Sequence, residues 1–229
     1  MLNATLGNNP LVTHKSLFLA GMKNNYNNLA PFYDFLSRLV FGDAIIQSQR
    51  FLVEAIPANS TVLIVGGGTG FILEEIGLLH KGDLRITYVE ASEKMIEISK
   101  KRNIGCNPLI FIHLPIQETS FKKKFNVVIT PFLLDNFSNH SAKIVFNIIH
   151  DALQPNGLWL FADFNESRII PLWQRFLLKC MYYFFRVFCR IEARELPDTK
   201  SLFDACKYKI VSSRFFFRSF ICSVIYQRQ

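Results

Sequence analysis

The run Val62-Leu63-Ile64-Val65-Gly66-Gly67-Gly68-Thr69-Gly70-Phe71 constrains this chain more than any other stretch. Four aliphatic residues in a row read as a buried strand that empties directly into a glycine-rich turn. A helical pattern follows (Ile72, Leu73, Ile76), and the next apolar run closes on Glu90. Gly66 permits a tight turn, and Gly68 leaves the backbone bare where a ligand approaches. The helix opening near Gly70 presents N–H groups that have no partner within the helix. Glu90 lies 20 residues beyond Gly70 (90 − 70), where a carboxylate can accept hydrogen bonds from both hydroxyls of a ribose. The constellation predicts a site for a nucleoside-containing cofactor, with Gly66, Gly67, Gly68, Gly70, Glu90 and the adjoining Ala91 as contacts.

A dinucleotide fingerprint reads G-x-G-x-x-G/A. Here the sixth position counted from Gly66 is Phe71, which would crowd a pyrophosphate and spoil close helix–strand packing. The pattern present is G-x-G-x-G (Gly66, Gly68, Gly70). At these residues the chain resembles the class I S-adenosylmethionine-dependent methyltransferases. The likeness continues through Glu90-Ala91-Ser92-Glu93-Lys94-Met95, similar to their acidic residue followed by a helix with Met in its first turn. The resemblance implies S-adenosylmethionine as cofactor and methyl transfer as activity.

At 229 residues the chain can bury a full core as one domain. Half of it is hydrophobic, which excludes a disordered chain. The cysteines (Cys106, Cys180, Cys189, Cys206, Cys222) are odd in number, widely spaced and without a C-x-x-C pair. That suits a reducing cytoplasm and predicts neither a metal site nor a disulfide framework. The start of the chain lacks a basic segment followed by a long apolar core, so no signal peptide is expected.

Elements alternate along the chain. Strands are predicted at 61–66, 84–90, 109–113, 125–130 and 158–164, with helices between them. Ser92 and Ser138 are expected to cap two of those helices, and Pro155-Asn156-Gly157 to end the second. Further strands at 208–216 and 218–226 form a closing pair. The fold class is α/β: a Rossmann-like, seven-stranded, mostly parallel sheet with helices on both faces and the last strand antiparallel. The predicted organisation is a single domain, 1–229: an N-terminal lid or helical segment (1–60), a cofactor-binding core (61–166), a helical cap insertion (167–206) and the closing strand pair (207–229).

In such a sheet, ligands sit beyond the carboxyl ends of the strands at the switch in strand order. That rule nominates Ile116 and Gln117 after the third strand, Thr130 to Asn136 after the fourth, and Asp163 and Asn165 after the fifth. The resemblance implies that the loop after the third strand contacts adenine, that the loop after the fourth flanks the methionine moiety, and that Met95 lies against adenine. Met95 also reads as packing its helix on the sheet. The chain departs from the family pattern at three places. Ile64, Pro115 and Asn126 stand where acidic residues are common, which is expected to weaken polar contacts to the cofactor's amino group and adenine.

The segment Tyr26-Asn27-Asn28-Leu29-Ala30-Pro31-Phe32-Tyr33-Asp34 resembles the tyrosine-rich opening of ubiquinone/menaquinone-biosynthesis-type methyltransferases. The resemblance implies a lid, with Tyr26 and Tyr33 over the cofactor. An amphipathic helix completing the core is the other reading.

Residues 169–189 are long enough to raise a transmembrane helix. Arg175, Lys179, Arg186 and Arg190, however, share one narrow stripe at ~100° per residue. Each would cost roughly 2.5–3.5 kcal/mol at a bilayer centre on the lowest scales. The helix is read as amphipathic, its aromatic face comprising Trp173, Phe176, Met181, Tyr183, Phe184 and Phe188. It has three uses: completing the core as a roof over a substrate cavity, binding an apolar acceptor, or lying in the plane of an anionic membrane. The net charge of +8 favours a negatively charged partner without choosing among phospholipid, anionic substrate and RNA. Lys122-Lys123-Lys124 reads as a solvated turn.

Methyl transfer sometimes needs a base to take the acceptor's proton. Asp163, Asp135 and His140 lie at strand ends, and Asp163 is the catalytic candidate. Thr130-Pro131-Phe132-Leu133 is not an N-P-P-Y-type motif, which disfavours adenine-N6 or glutamine methylation. The resulting expectation is methyl transfer from S-adenosylmethionine to a small, apolar, quinone- or lipid-like acceptor in the cytoplasm, with peripheral contact to an anionic membrane through the 171–190 helix and nucleic acid disfavoured. The alternatives are an RNA methyltransferase and a catalytically silent cofactor-binding or membrane-surface protein.

Overall fold

The computed structural model describes residues 26–27, 29–165, 171–189 and 191–229. The expectation of no signal peptide, Asn28 of the tyrosine-rich segment, Ile169 and Ile170 of the predicted long helix, and Arg190 of its cationic stripe lie outside the described residues.

Seven strands form one sheet in the order β3-β2-β1-β4-β5-β7-β6. They are β1 (Thr61–Val65), β2 (Arg85–Glu90), β3 (Leu109–His113), β4 (Phe125–Pro131), β5 (Leu153–Phe164), β6 (Lys209–Phe216) and β7 (Ile221–Gln227). The first five run parallel; β7 is antiparallel to both β5 and β6. The β1 aliphatic run is buried because both sheet faces are covered. On one face, α2 (Ala44–Val53) and α3 (Phe71–Leu79) pack Leu52, Val53, Ile72 and Ile76 against Val62, Ile64 and Ile129. On the other, α5 (Asn139–Ala152) and α7 (Thr199–Ala205) pack Val145, Phe146, Ile149 and Phe203 around Trp159. The strand order reverses between β1 and β4, so a crevice opens at the carboxyl ends of these strands.

Ser92 and Ser138 cap their helices as expected, their side chains accepting from Met95 N and Ser141 N. Two boundaries differ from the sequence reading. Helix α5 ends at Ala152 and β5 begins at once, so Pro155-Asn156-Gly157 lies inside the strand as an irregularity. Asn156 takes a left-handed backbone (φ 61°), and the Arg228 guanidinium donates to the carbonyls of His150 and Leu153, which holds the excursion in place. Strand β7 starts at Ile221 rather than at 218, because Phe217, Arg218 and Ser219 are all left-handed and form the turn.

Helix α1 (Ala30–Phe41) and helix α6 (Leu172–Cys189) stand over the carboxyl ends of the strands. The first turn of α6 is tied to the β6–β7 turn: Gln174 Nε2 donates to Arg218 O at 2.9 Å, and Trp173 meets the Phe217 ring edge-on. No described helix is long and apolar enough to cross a membrane.

Candidate active site

The glycine turn is propped from beneath by a buried tyrosine. Tyr88, on β2, donates its hydroxyl to Gly68 O at 2.9 Å. A Cβ on Gly67 would lie 2.5 Å from that ring, so glycine is required there by packing. Gly68 is different: its φ is +61°, and the place a Cβ would occupy is open space bordering the crevice. Its N–H donates to Glu90 Oε2 at 3.1 Å, and Ser92 N donates to Glu90 Oε1 at 2.9 Å. Burial pushes the Glu90 carboxyl above its ordinary range, against the lowering effect of backbone N–H groups from Ser92, Gly68 and Ala91. A carboxylate offers about four acceptor positions, so both oxygens retain capacity for a ligand.

One continuous cavity of about 750 Å³ runs from this turn to the underside of α1 and α6. Its floor is Gly66, Gly67, Gly68, Glu90, Ala91 and Ser92; Met95, Ile116 and Gln117 form a side wall. Its roof is apolar, with Leu36 and Phe41 from α1 and Leu178, Met181, Phe184 and Phe185 from α6. Two buried amide atoms facing it have no hydrogen-bond partner among the described residues: Gln117 Nε2 and Gln49 Oε1. Such groups cost roughly 1–3 kcal/mol each when left unpaired, so they point to a bound molecule that completes them.

The chain's residues 62–157 match the family described as "Methyltransferase domain". The ubiquinone/menaquinone biosynthesis C-methyltransferase of Geotalea uraniireducens is 26% identical over 167 residues, covering 70% of this chain and 67% of that protein. The same enzyme of Geotalea daltonii is 25% identical over 179 residues, with the same coverage. The chain carries a methyltransferase domain, and its activity is S-adenosylmethionine-dependent methyl transfer. In fold it is similar to 1,6-didemethyltoxoflavin-N1-methyltransferase of Burkholderia thailandensis, solved with S-adenosylhomocysteine (TM-score 0.58, 14% identity, 88% of each chain). It is also similar to an O-methyltransferase family 2 protein of Planctomyces limnophilus solved with apigenin (TM-score 0.65, 12% identity), covering 87% of this chain and 62% of that longer one. The cofactor of the methyltransferase is S-adenosylmethionine. The open cradle at Gly68 and the buried carboxylate with spare acceptor positions suit a ribose-bearing cation.

Of the residues nominated from sequence, Gly66, Gly67, Gly68, Glu90, Ala91, Met95, Ile116, Gln117, Tyr26 and Tyr33 line the cavity of the methyltransferase. Met95 is also buried to 2% exposure, so it both packs α4 (Glu93–Ser99) and faces the cavity. Other nominated residues are not on the wall, among them Gly70, Thr130, Asp163 and Asn165, whose Nδ2 donates to Ser219 O. Gly70 caps α3 with φ +83°, and a Cβ there would meet Ser99 at 2.7 Å, so its role is close packing of α3 on α4. Thr130 is buried, accepting from Trp159 Nε1 at 2.8 Å. Asp163, nominated as the base, is 2% exposed and accepts from the backbone N–H groups of Asp135 (3.2 Å) and Phe164 (2.8 Å). It holds the turn after β4 and does not line the cavity.

Asp135 does face the cavity, and desolvation pushes its carboxyl from the ordinary 3.8 up to about 7. His140 is exposed and off the wall. Of the three departures from the family pattern, Asn126 sits at the amino ends of the central strands, away from the cavity, its Oδ1 accepting from Thr61 N and Oγ1. It does not line the cavity. Ile64 is buried within the sheet, and Pro115 lines the cavity.

The tyrosine segment closes over the floor. Tyr26 donates to Asn136 Oδ1, and its ring meets Tyr33 edge-on at 6.3 Å and Phe185 at 6.0 Å. Asn27 Oδ1 accepts from Ser92 Oγ at 2.6 Å. Arg102 latches α1 to the glycine turn: its guanidinium reaches Asp34 (2.6 Å), Glu74 (3.1 Å) and Thr69 O (2.9 Å) and lies 4.3 Å over the Phe71 ring. Thr69 Oγ1 also donates to Asp34. Sequence reasoning missed Tyr88, Gln49 and Arg102. A tyrosine two residues before Glu90 is the one local signal for any of them.

Proposed function

We propose that the methyltransferase moves a methyl group from S-adenosylmethionine to a small, apolar, quinone- or lipid-like acceptor that carries one hydrogen-bonding group. The observation that carries this reading is the division of a single cavity into a polar floor and an apolar, aromatic roof. A volume near 750 Å³ lies within the ~300–1,000 Å³ of small-molecule sites. Gly66, Gly67, Gly68, Glu90 and Ala91 would hold the cofactor's ribose and backbone-facing edge, with Met95, Ile116 and the Gln117 amide on its adenine. The cofactor supplies an activated methyl on a sulfonium. The roof excludes water and holds the acceptor in line, which lowers the barrier by orientation and desolvation.

Asp135 takes the acceptor's proton as the new bond forms. A base whose pKa lies near neutrality suits that task. Asp163 positions it through the Asp135 backbone N–H, and Gln49 Oε1 accepts from the second N–H where the acceptor's polar group is an amine. The test is incubation with isotopically labelled cofactor and cell extract, separated into lipid, RNA and protein. Label in a lipid-extractable small molecule is expected; label confined to RNA or protein, or no transfer despite calorimetric binding of S-adenosylhomocysteine, overturns the reading.

A further inference from the structure

Amphipathic helices that complete a core turn their polar side outward. The two roof helices turn large apolar side chains outward as well. On α1, Phe32, Phe35 and Leu39 follow i, i+3, i+7 spacing and are each more than 60% exposed. On α6, whose inward side holds Leu178, Met181 and Phe185, a second apolar band points to solvent: Leu172 (81% exposed), Phe176 (71%) and Tyr183 (75%). The aromatic face read from the sequence is thus split, Met181 and Phe184 turning to the cavity, Phe176 and Tyr183 to solvent.

Beside the outward band runs a row of cations. Counting ~100° per residue from Arg175, Lys179 and Arg186 fall within about 40° of it, while Leu172, Tyr183 and Phe176 lie roughly 60–100° around. Arg175, Lys179 and Arg186 are exposed and make no salt bridge among the described residues, and α6 contains no acidic residue. The one acid of α1, Asp34, is engaged by Arg102. An apolar band flanked by unpaired cations is the pattern of a helix lying in the plane of a membrane, with apolar groups among acyl chains and cations at anionic headgroups.

We infer that the outward faces of α1 and α6 dock the protein on an anionic lipid bilayer. A second copy of the chain fits this surface poorly, because a two-fold contact would set one unpaired cationic row near its own image. The net charge of +8 acts in the same direction as the local row. Docking places the roof of the cavity against the membrane, where an apolar acceptor is most concentrated. The inference stands apart from the methyl-transfer reading, since vesicle binding needs neither cofactor nor acceptor.

The experiment is co-sedimentation of the full chain with phosphatidylcholine vesicles with and without one-third phosphatidylglycerol, at low and high salt. Binding to the anionic vesicles alone, weakened by salt, is expected. The triple variant R175E/K179E/R186E should bind roughly 100-fold more weakly, at about 1 kcal/mol per cation near the surface. F176S should also weaken binding while leaving the charge intact. Circular dichroism and S-adenosylhomocysteine calorimetry on each variant separate loss of docking from loss of fold. Failure of the parent protein to sediment at low salt, equal binding to neutral vesicles, or light scattering that shows a dimer dissolved by F176S would each overturn the inference.

Discussion

The floor of the cavity is built from backbone groups and one carboxylate, whereas its roof is built from side chains of α1 and α6, and the two should respond differently to change. The floor depends on φ angles at Gly68 and on two N–H bonds to Glu90, features that admit few substitutes. The roof depends on apolar volume, which several residues can supply. On the proposed reading the floor serves the cofactor, while the roof sets which acceptor fits. Asp135 lies where the two meet, on the turn after β4.

The comparison breaks first at that junction. Asp135→Asn should lower turnover by on the order of 10²–10⁴-fold with cofactor affinity little changed. In the parent protein the rate should rise as pH passes through about 7, because the base must be ionised, and that limb should vanish in the variant. A pH–rate profile of the same shape in both proteins would remove Asp135 as the base. The same group affects stability with a definite sign. Its folded-state pKa lies above the ordinary 3.8, so the folded protein holds a proton that the unfolded chain has lost. Stability contributed by the neutral carboxyl is present at low pH and falls as pH rises through about 7; denaturation of Asp135→Asn should lack that decline.

Next in size is the floor. Glu90→Ala removes the acceptor for Gly68 N and Ser92 N as well as the proposed ribose contact. Affinity for S-adenosylhomocysteine should drop about 100-fold by calorimetry, at roughly 1.5–3 kcal/mol per bond to a charged group. A change within threefold would mean that the carboxylate only holds the turn. For the roof, Phe184→Ala should leave that affinity within a factor of two and raise the acceptor KM about tenfold, the scale of a lost apolar contact of a few methylenes. Equal effects on both ligands would show that floor and roof are not separable.

Two smaller effects sharpen the boundary. Gln49→Met replaces an unpaired buried acceptor by an apolar group of similar size. The melting temperature of the free protein should rise by about 2–4 °C while the acceptor binds more weakly. Arg102→Met severs the latch between α1 and the glycine turn. A fall of about 2–4 °C in melting temperature is expected, with a faster off-rate for the cofactor by stopped flow, since the latch is largely shielded from solvent.

The sequence alone determined the sheet, the glycine turn, the caps at Ser92 and Ser138 and the place of the Glu90 carboxylate beside that turn, because each of these is set by residues close together in the chain. Apolar runs, turn glycines and capping hydroxyls act over a few residues, and their physics survives without knowledge of the rest. Tertiary structure decided what long-range packing sets. It buried Asp163 beneath the turn and brought Asp135 to the wall, from residues 28 positions apart. It put Asn126 at the amino ends of the strands, away from the cavity, turned Thr130 to Trp159, and set Gly70 in contact with Ser99. It divided the aromatic residues of α6 between cavity and solvent, because periodicity tells which residues share a face but not what that face will meet.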